Sequence, residues 1–506
     1  MFVLDWSHLQ EPEELRQVVR LLVQENERLH KRLEELTRQL ASLKGEGEQR
    51  LLELEIQKLR EQMDRFQRKI FAASSEKRKG EGNGREGAQE KPPQRGHGPT
   101  EQLRLPVVEV VHELPEEKRG CPVCGGTLQE MAGQCEQTEE VTVIQRQFVV
   151  QHHQRKKYRC RCNGAVVTAP APVRLEGHRY SVEFAVEVAV DKYADHLPLE
   201  RQVARMERQG LELTSQTLWD QTRAVAVKLE SSYRALKAHV LASPRIGADE
   251  TWWRDLKTGS RQCHDWCLCC EDGIYHEIHP SRSSEAAAAM LAGYTGTVMT
   301  DGYVAYKTLA KATPGLKLVH CWAHVRRKFV EVETFYPQEC KEILDLIRKL
   351  YEVERKVSEG GDPEGTLALR ARLRGEESGA WVEKTKEWAF AQRASPGSGL
   401  RQAIDYMLQH WNGLTAFLED PAIPLDNNAT ERALRAVVVG RKNHLGSRSK
   451  EGMRVAGLFY SLLDTAKLCG VNPREYLIRA VRLALEVPGS VFLPHQMAAL
   501  SSPAAE

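Results

Sequence analysis

The spacing of apolar residues changes several times along the chain. Over residues 11–72 it has a period of seven. Leu15, Leu22, Leu29, Leu36 and Leu43 form one row, with Val19, Asn26, Leu33 and Leu40 as companions. This is the seam of a coiled coil, and one Asn among apolar seam residues fixes the register of parallel dimers. Gly45 and Gly47 interrupt the repeat, which resumes in a shifted phase at Leu52, Ile56, Leu59, Met63, Phe66 and Ile70. The length of the repeat predicts pairing between chains, as a homodimer or higher; the alternative is a helix packed on its own domain. Residues 73–100, rich in Gly, Lys, Arg, Glu and Pro, cannot build a core and read as a flexible linker. Residues 101–170 form a small cysteine-bearing module. Residues 171–243 have helical spacing throughout. Within them Leu199–Gln209, Gly210 and Thr214–Asp220 resemble a helix-turn-helix.

From residue 244 the period shortens to that of strands. Arg245–Leu256, His264–Glu271 and Ile274–His279 come first. An Ala-rich helix follows at Ser284–Ala292, then strands at Gly296–Asp301 and Leu316–Cys321. Residues 330–420 are helical, polar and broken by Gly360-Gly-Asp-Pro363 and Ser395-Pro-Gly-Ser398, as expected of an insertion. Residues 451–506 give amphipathic helices and a tail. The fold class is therefore α+β and multidomain. A coiled coil, a small zinc-ribbon module and a helical DNA-binding region precede a ribonuclease H-like core at 244–450, and C-terminal helices close the chain.

With 506 residues, the chain exceeds one core. The formal net charge of +2 makes any nucleic-acid contact a matter of local patches. No uninterrupted apolar run is long enough to cross a bilayer, and the first residues are not a signal peptide. Twelve cysteines, several in pairs, fit reduced thiols and metal in a cytoplasmic protein.

Three groups of residues carry chemistry. Cys121-Pro-Val-Cys124-Gly-Gly is a zinc knuckle, and the chain returns through Cys160-Arg-Cys162. Four thiolates in two pairs make a closed structural Zn²⁺ site, with Cys135 or His153 as substitutes for one ligand. Arg155, Lys156, Lys157 and Arg159 crowd the second knuckle, either to grip phosphates or as a solvated face. Cys263, Cys267, Cys269 and Cys270 lie in or beside one strand. Alternation divides them between its faces, so they read as packing residues rather than a second metal site.

The third group is acidic. Asp249 lies in the first core strand, Asp301 at the exit of a later one, and Glu431 in the first turns of a helix that Asp426, Asn427 and Asn428 are suited to cap. That helix reads as Ala429–Val439, with Arg432 and Arg435 beside the Glu and Arg441 and Lys442 near its end. Two strand-borne Asp and a helix-borne Glu are the triad of a ribonuclease H-like nucleotidyl-transfer site. Neighbouring carboxylates repel and need divalent cations. His320-Cys-Trp-Ala-His324 adds Cys321 and His324 at a strand-to-helix junction, with Arg326, Arg327 and Lys328 following.

Together these motifs resemble the insertion-sequence-66 family of bacterial transposases over nearly the whole length. The resemblance is carried by Cys121-Pro-Val-Cys-Gly-Gly126, Ala169-Pro-Ala-Pro172, His196-Leu-Pro-Leu199, Ala248-Asp-Glu-Thr251, Thr300-Asp-Gly-Tyr303, Cys321–Phe329, Pro424–Arg435 and Gly440-Arg-Lys-Asn443. Two departures are the Cys-x-Cys spacing of the second knuckle and His444-Leu-Gly-Ser where the family tends to place aromatics. The resemblance implies a DDE-type DNA transposase. Asp249 would bridge two Mg²⁺ (or Mn²⁺) ions, with Asp301 and Glu431 each holding one side, and Cys321 and His324 supporting the site. The expected partners are double-stranded DNA, at the element's ends and at the target, and companion transposition proteins. Two other readings use the same residues: a nuclease without strand transfer, and an inactive zipper and zinc DNA-binding regulator.

Overall fold

The computed structural model describes residues 181–358 and 363–501, most of 147–180, and two helical stretches within 28–39 and 52–64, with a few isolated positions between. The chain divides into two compact units, 1–71 with 148–506, and 72–147. Nearly all described residues belong to the first. The linker at 73–100 and Cys121, Cys124, Cys160 and Cys162 lie outside the described residues, as does the heptad run through Asn26.

A five-stranded sheet organises this unit, built from β3 (Arg245–Trp253), β4 (Cys263–Cys269), β5 (Ile274–His279), β6 (Thr297–Thr300) and β7 (Lys317–His320). A short hairpin, β1 (Lys157–Arg159) and β2 (Val166–Thr168), forms a separate sheet. The spatial order of the main sheet is β5-β4-β3-β6-β7. The first three strands are antiparallel neighbours, whereas β6 and β7 run parallel to β3. Parallel pairing needs crossovers. These are α4 (Ser284–Met290), before β6, and α5 (Val304–Ala312), between β6 and β7. Register brings the first two acids together. Gly247 faces Met299, so Asp249 and Asp301 occupy equivalent positions two residues further along adjacent parallel strands.

Helices supply two cores. In the first, α1 (Val182–Tyr193), α3 (Ser215–Ala242), α13 (Lys450–Leu468) and α14 (Pro473–Glu486) pack with the sheet around Trp253, Tyr460 and Phe459. Helix α13 seats on β5 through its own hydroxyls: Ser461 and Thr465 accept the N–H groups of His276 and Ile274 at 2.7 and 2.9 Å. The second core belongs to the insertion: α6 (Trp322–Val330), α7 (Pro337–Ser358), α8 (Pro363–Leu373), α9 (Gly379–Ala391), α10 (Gly399–Gln409) and α11 (Trp411–Thr415). Trp322, Ile343, Ile347, Ile404, Met407 and Phe417 are buried there.

Three expectations change, and one heptad block makes contacts within the chain. The helix-turn-helix pair exists as α2 (Leu199–Glu207), Gly210 in the left-handed region and α3 capped by Thr214. Yet α3 runs for 28 residues and is buried along one face as far as Val240, so it is a scaffold helix of the core. The helix bearing Glu431, α12, extends from Asn428 to His444 and stops at Leu445, which adopts the left-handed conformation. Asn427 does not cap it through its side chain. Finally, the second heptad block docks in cis. Gln57 donates to the carbonyl of Phe335, Lys58 Nζ to that of Pro396 at 3.2 Å, and buried Glu61 accepts the N–H of Gly399 at 2.7 Å. This block thus touches the insertion of its own chain.

Arg374 is the side chain that closes the insertion. It is 1% exposed. Its Nε and NH2 hold both oxygens of Glu354 at 2.7 and 3.0 Å, while NH1 donates to the carbonyls of Phe417 and Ile423 at 2.9 and 3.0 Å. Those carbonyls belong to the segment that returns the chain to α12. Removing one partner of a buried ion pair strands the other charge, at a cost of roughly 3–5 kcal/mol. Arg374→Ala should therefore lower unfolding stability by about that amount in urea, and Arg374→Lys should recover little because one ammonium cannot serve a carboxylate fork and two carbonyls. A midpoint unchanged by Arg374→Ala would refute this role.

Candidate active site

Asp249 is the centre of the site. It sits half-buried in β3, and its Oδ1 accepts the Glu250 N–H at 2.8 Å. Burial pushes its pKa up to about 8, and the charges of Glu250, Asp301 and Glu431 push in the same direction. Residues 249, 301 and 431 thus share one electrostatic environment despite their separation in sequence. Their oxygens do not close into a single tight cluster. Among the described residues, the group of three potential ligands whose atoms all lie within 4.8 Å is His239, Cys270 and Asp272, elsewhere in the fold.

Asp301 leaves the end of β6. Its Oδ1 accepts the N–H of Tyr303 at 2.9 Å, and its carbonyl accepts the Tyr406 hydroxyl. Gly302 follows with φ of 89°, and a Cβ there would lie 2.4 Å from His410 Nε2. The left-handed turn and the close ring both require glycine. Tyr406 and His410, from α10 and the residue after it, back the second acid. Nothing in the local sequence pattern points to them.

Glu431 reaches the site from the first turn of α12. Its Oε1 lies 3.6 Å from His324 Nε2 and its Oε2 3.7 Å from Arg327 NH2. Glu431 Oε1 and His324 Nδ1 are both enclosed without a hydrogen-bond partner. Burial lowers the His324 pKa, against the pull of Glu431, which keeps the ring neutral near pH 7. Cys321 has another task. Its buried sulfur accepts the Asn427 N–H at 3.2 Å, and burial raises its pKa to about 11, so it remains a thiol.

Asn427 ties these pieces together. Its Nδ2 donates to the carbonyl of Ala248 at 3.1 Å, next to Asp249, and its Oδ1 accepts the Thr430 hydroxyl at 2.7 Å. The sequence suggests a cap at this position; the residue is a tether between β3 and α12. A Cβ on Gly247 would meet Thr430 Oγ1 at 2.0 Å, so only glycine permits this approach. Ala433 and Leu434 complete the seating on Cys267 and Cys269 of β4.

The neighbouring acid, Glu250, is engaged elsewhere. Its Oε1 takes Arg282 Nε at 2.7 Å and its Oε2 takes the Tyr306 hydroxyl at 2.8 Å. Of the basic residues expected on DNA, Arg326, Arg327, Arg432, Arg435 and Lys442 are exposed and Lys328 partly so; Arg327 lies beside Glu431. Arg155, Lys156, Lys157 and Arg159 are exposed on and beside the β1–β2 hairpin. Arg441 is not available. It is 8% exposed, donates to Thr251 Oγ1 at 2.7 Å and to the Trp252 carbonyl, and its guanidinium lies 3.8 Å from the Trp252 ring centre. It locks α12 onto β3, and its expected DNA contact is withdrawn.

Comparison with known proteins places this arrangement. A family model described as "Transposase IS66 family" matches residues 177–455, and one described as "zinc-finger binding domain of transposase IS66" matches residues 118–163, a span that includes Cys121, Cys124, Cys160 and Cys162. The chain belongs to the IS66 family of transposases. It is similar to three uncharacterized proteins of Sinorhizobium fredii. With y4jD it shares 32% identity, covering 74% of this chain and 76% of the relative. For y4qI the figures are 32%, 72% and 71%, and for y4hP 30%, 71% and 69%. No helix among the described residues is long and apolar enough to cross a membrane.

The raised Asp249 pKa has a sign that can be tested. The folded, metal-free protein keeps a proton on Asp249 that the unfolded chain releases near the ordinary value of 3.8. Stability therefore falls as pH rises from about 4 to about 8. Without added divalent ions, Asp249→Asn should flatten that decline and leave the protein at least as stable as wild type at pH 8, read from urea midpoints at pH 5 and pH 8. Equal pH dependence in both proteins would contradict the assignment.

Proposed function

We propose that this protein is a DDE-type DNA transposase with a ribonuclease H-like core, in which Asp249, Asp301 and Glu431 form the catalytic triad. The observation that carries the reading is that Asp249, raised first by burial and then by Glu250, also feels the charges of Asp301 and Glu431, carboxylates from distant parts of the chain. The strand order β5-β4-β3-β6-β7, with an antiparallel half and a parallel half, supports the core assignment.

The donor set fits divalent cations. All three ligands are hard carboxylate oxygens, Glu431 Oε1 is enclosed without a partner, and Asp249 resists ionisation while the charges beside it go unneutralised. A pair of ions would divide the three acids between them. Asp249 would be shared, and Asp301 and Glu431 would hold the two sides. When bound, Mg²⁺ or Mn²⁺ ions would stabilise the attacking and leaving oxygens of an in-line displacement.

The chain's own residues supply the rest. Arg326, Arg432, Arg435 and Lys442 receive the DNA backbone beside the acids. Arg327 faces Glu431 Oε2 at 3.7 Å, and neutral His324 borders its Oε1 without bonding to it. Water attacks the phosphodiester at the element's end and releases a 3′-hydroxyl. That hydroxyl then attacks a target phosphodiester, expelling its 3′-oxygen as leaving group. The Zn²⁺ module and its basic hairpin would grip duplex DNA, and the first heptad run would pair chains so that two ends meet. The protein would act in the bacterial cytoplasm, on nucleoid DNA, with companion proteins.

The test is a cleavage and joining assay on labelled element ends with Mg²⁺. Asp301→Ala should cut at least roughly 10²–10³-fold more slowly while still binding the ends. Cleavage at the normal rate would sink the triad. Cleavage without joined products would leave only a nuclease.

A further inference from the structure

A second cluster of ligating side chains lies away from the acids, where four elements meet. His239 is in the last turn of α3. Cys270 and Asp272 form the β4–β5 turn. Cys469 ends α13, and His495 is in α15 (Pro494–Ser501). Gly247 pairs with Cys269, so this turn lies toward the start of β3, away from where Asp301 leaves β6. We propose that His239, Cys270 and Asp272, with His495 as fourth donor, bind a zinc-class divalent ion that staples the β4–β5 hairpin to the C-terminal helices.

The distances support a cage of this size. His239 Nε2 is 2.8 Å from Asp272 Oδ1, Cys270 Sγ is 3.5 Å from the same oxygen, and all three ligand atoms lie within 4.8 Å of one another. Zinc bonds of roughly 2.0–2.3 Å in a tetrahedron separate ligands by about 3.3–3.7 Å. Small side-chain shifts of His239, Cys270 and Asp272 would seat an ion, and His495, outside that group, would move further to reach it. His495 gives an independent pointer: its Nδ1 is enclosed without a hydrogen-bond partner, 3.9 Å from Asp272 Oδ2, and its ring stacks on His239 with centroids 4.3 Å apart. One side of the cage is held by Cys469, whose thiol donates to the Asp272 carbonyl at 3.4 Å. Two imidazoles, a thiolate and a carboxylate select a borderline transition ion over Mg²⁺ or Ca²⁺, which require oxygen shells. All four cysteines of this region are buried in the core, as expected of packing residues, and Cys270 would serve as a ligand as well.

The staple would have a mechanical role. Strand β4 carries Cys267 and Cys269, on which α12 rests. Fixing the end of that strand fixes the bed of the helix that bears Glu431.

Metal content of the full-length protein tests the site without reference to DNA cleavage. After exhaustive dialysis, wild type should retain about two zinc equivalents per chain, one for the zinc-finger module and one here. Asp272→Asn keeps a side chain able to hydrogen-bond His239 but is a poor ligand, and it should reduce the content to about one, as should Cys270→Ser. Circular dichroism shows whether each variant is folded. Should either fail to fold, Co²⁺ titration of the stripped wild type decides. A second equivalent should bring a weaker thiolate-to-cobalt absorption than the four-thiolate module gives. Identical zinc content in wild type and folded variants, or cobalt uptake complete at one equivalent, overturns the proposal.

Discussion

The candidate site depends on one side chain that makes no contact with the chemistry. Asn427 uses its amide nitrogen on the carbonyl of Ala248, its amide oxygen on Thr430, and its backbone N–H on Cys321. These bonds join β3, the start of α6 and α12, the elements that border all three acids. Each buried bond contributes about 1 kcal/mol net, but leaving a partner unmet costs more. The tether works against a real opposing force, because carboxylates gathered in a partly buried site repel. Gly247 is the matching concession on the sheet side: a strand position given up to let a helix touch the backbone.

The insertion between Asp301 and Glu431 solves a related problem. A long excursion could leave the third acid poorly placed. Here the excursion has its own core around Trp322, Ile343, Ile404 and Phe417, so it behaves as a rigid spacer. Arg374 closes it by gathering carbonyls of the returning segment and the carboxylate of Glu354. Trp322, the first residue of α6, donates its backbone N–H to Leu425 and its indole N–H to Leu414, so start and end of the excursion are bonded to each other.

Much of this is legible in the residues. Strand period and turn residues locate all five strands of the main sheet within about three residues, with Asp249 inside a strand, Asp301 at a strand exit and Glu431 where a helix begins. The failures share one physical cause: periodicity reports which face of an element is apolar, not what covers it. Arg441 looks like one more basic residue at a helix end, and only the packing of α12 on Trp252 shows its stem and charge enclosed. Asn427 resembles a cap because capping is what Asn does locally; its partner lies 179 residues earlier. The extent of α3 is hidden because a Gly turn followed by a Thr-capped helix is the same signal for a short reading helix and for a long scaffold helix.

Helix α13 gives the architecture a further meaning. It covers β5 and contributes Tyr460, Phe459 and Leu463 to the main core, yet it is made after every acid has been synthesised. A ribosome that stalls or a message that breaks before this point yields a chain with its carboxylates present but the sheet uncovered. Such a chain lacks the hydroxyls of Ser461 and Thr465 that meet the N–H groups of His276 and Ile274. The strand that carries Asp249 therefore belongs to a sheet whose far edge is closed only by a helix that follows every one of the three acids in sequence.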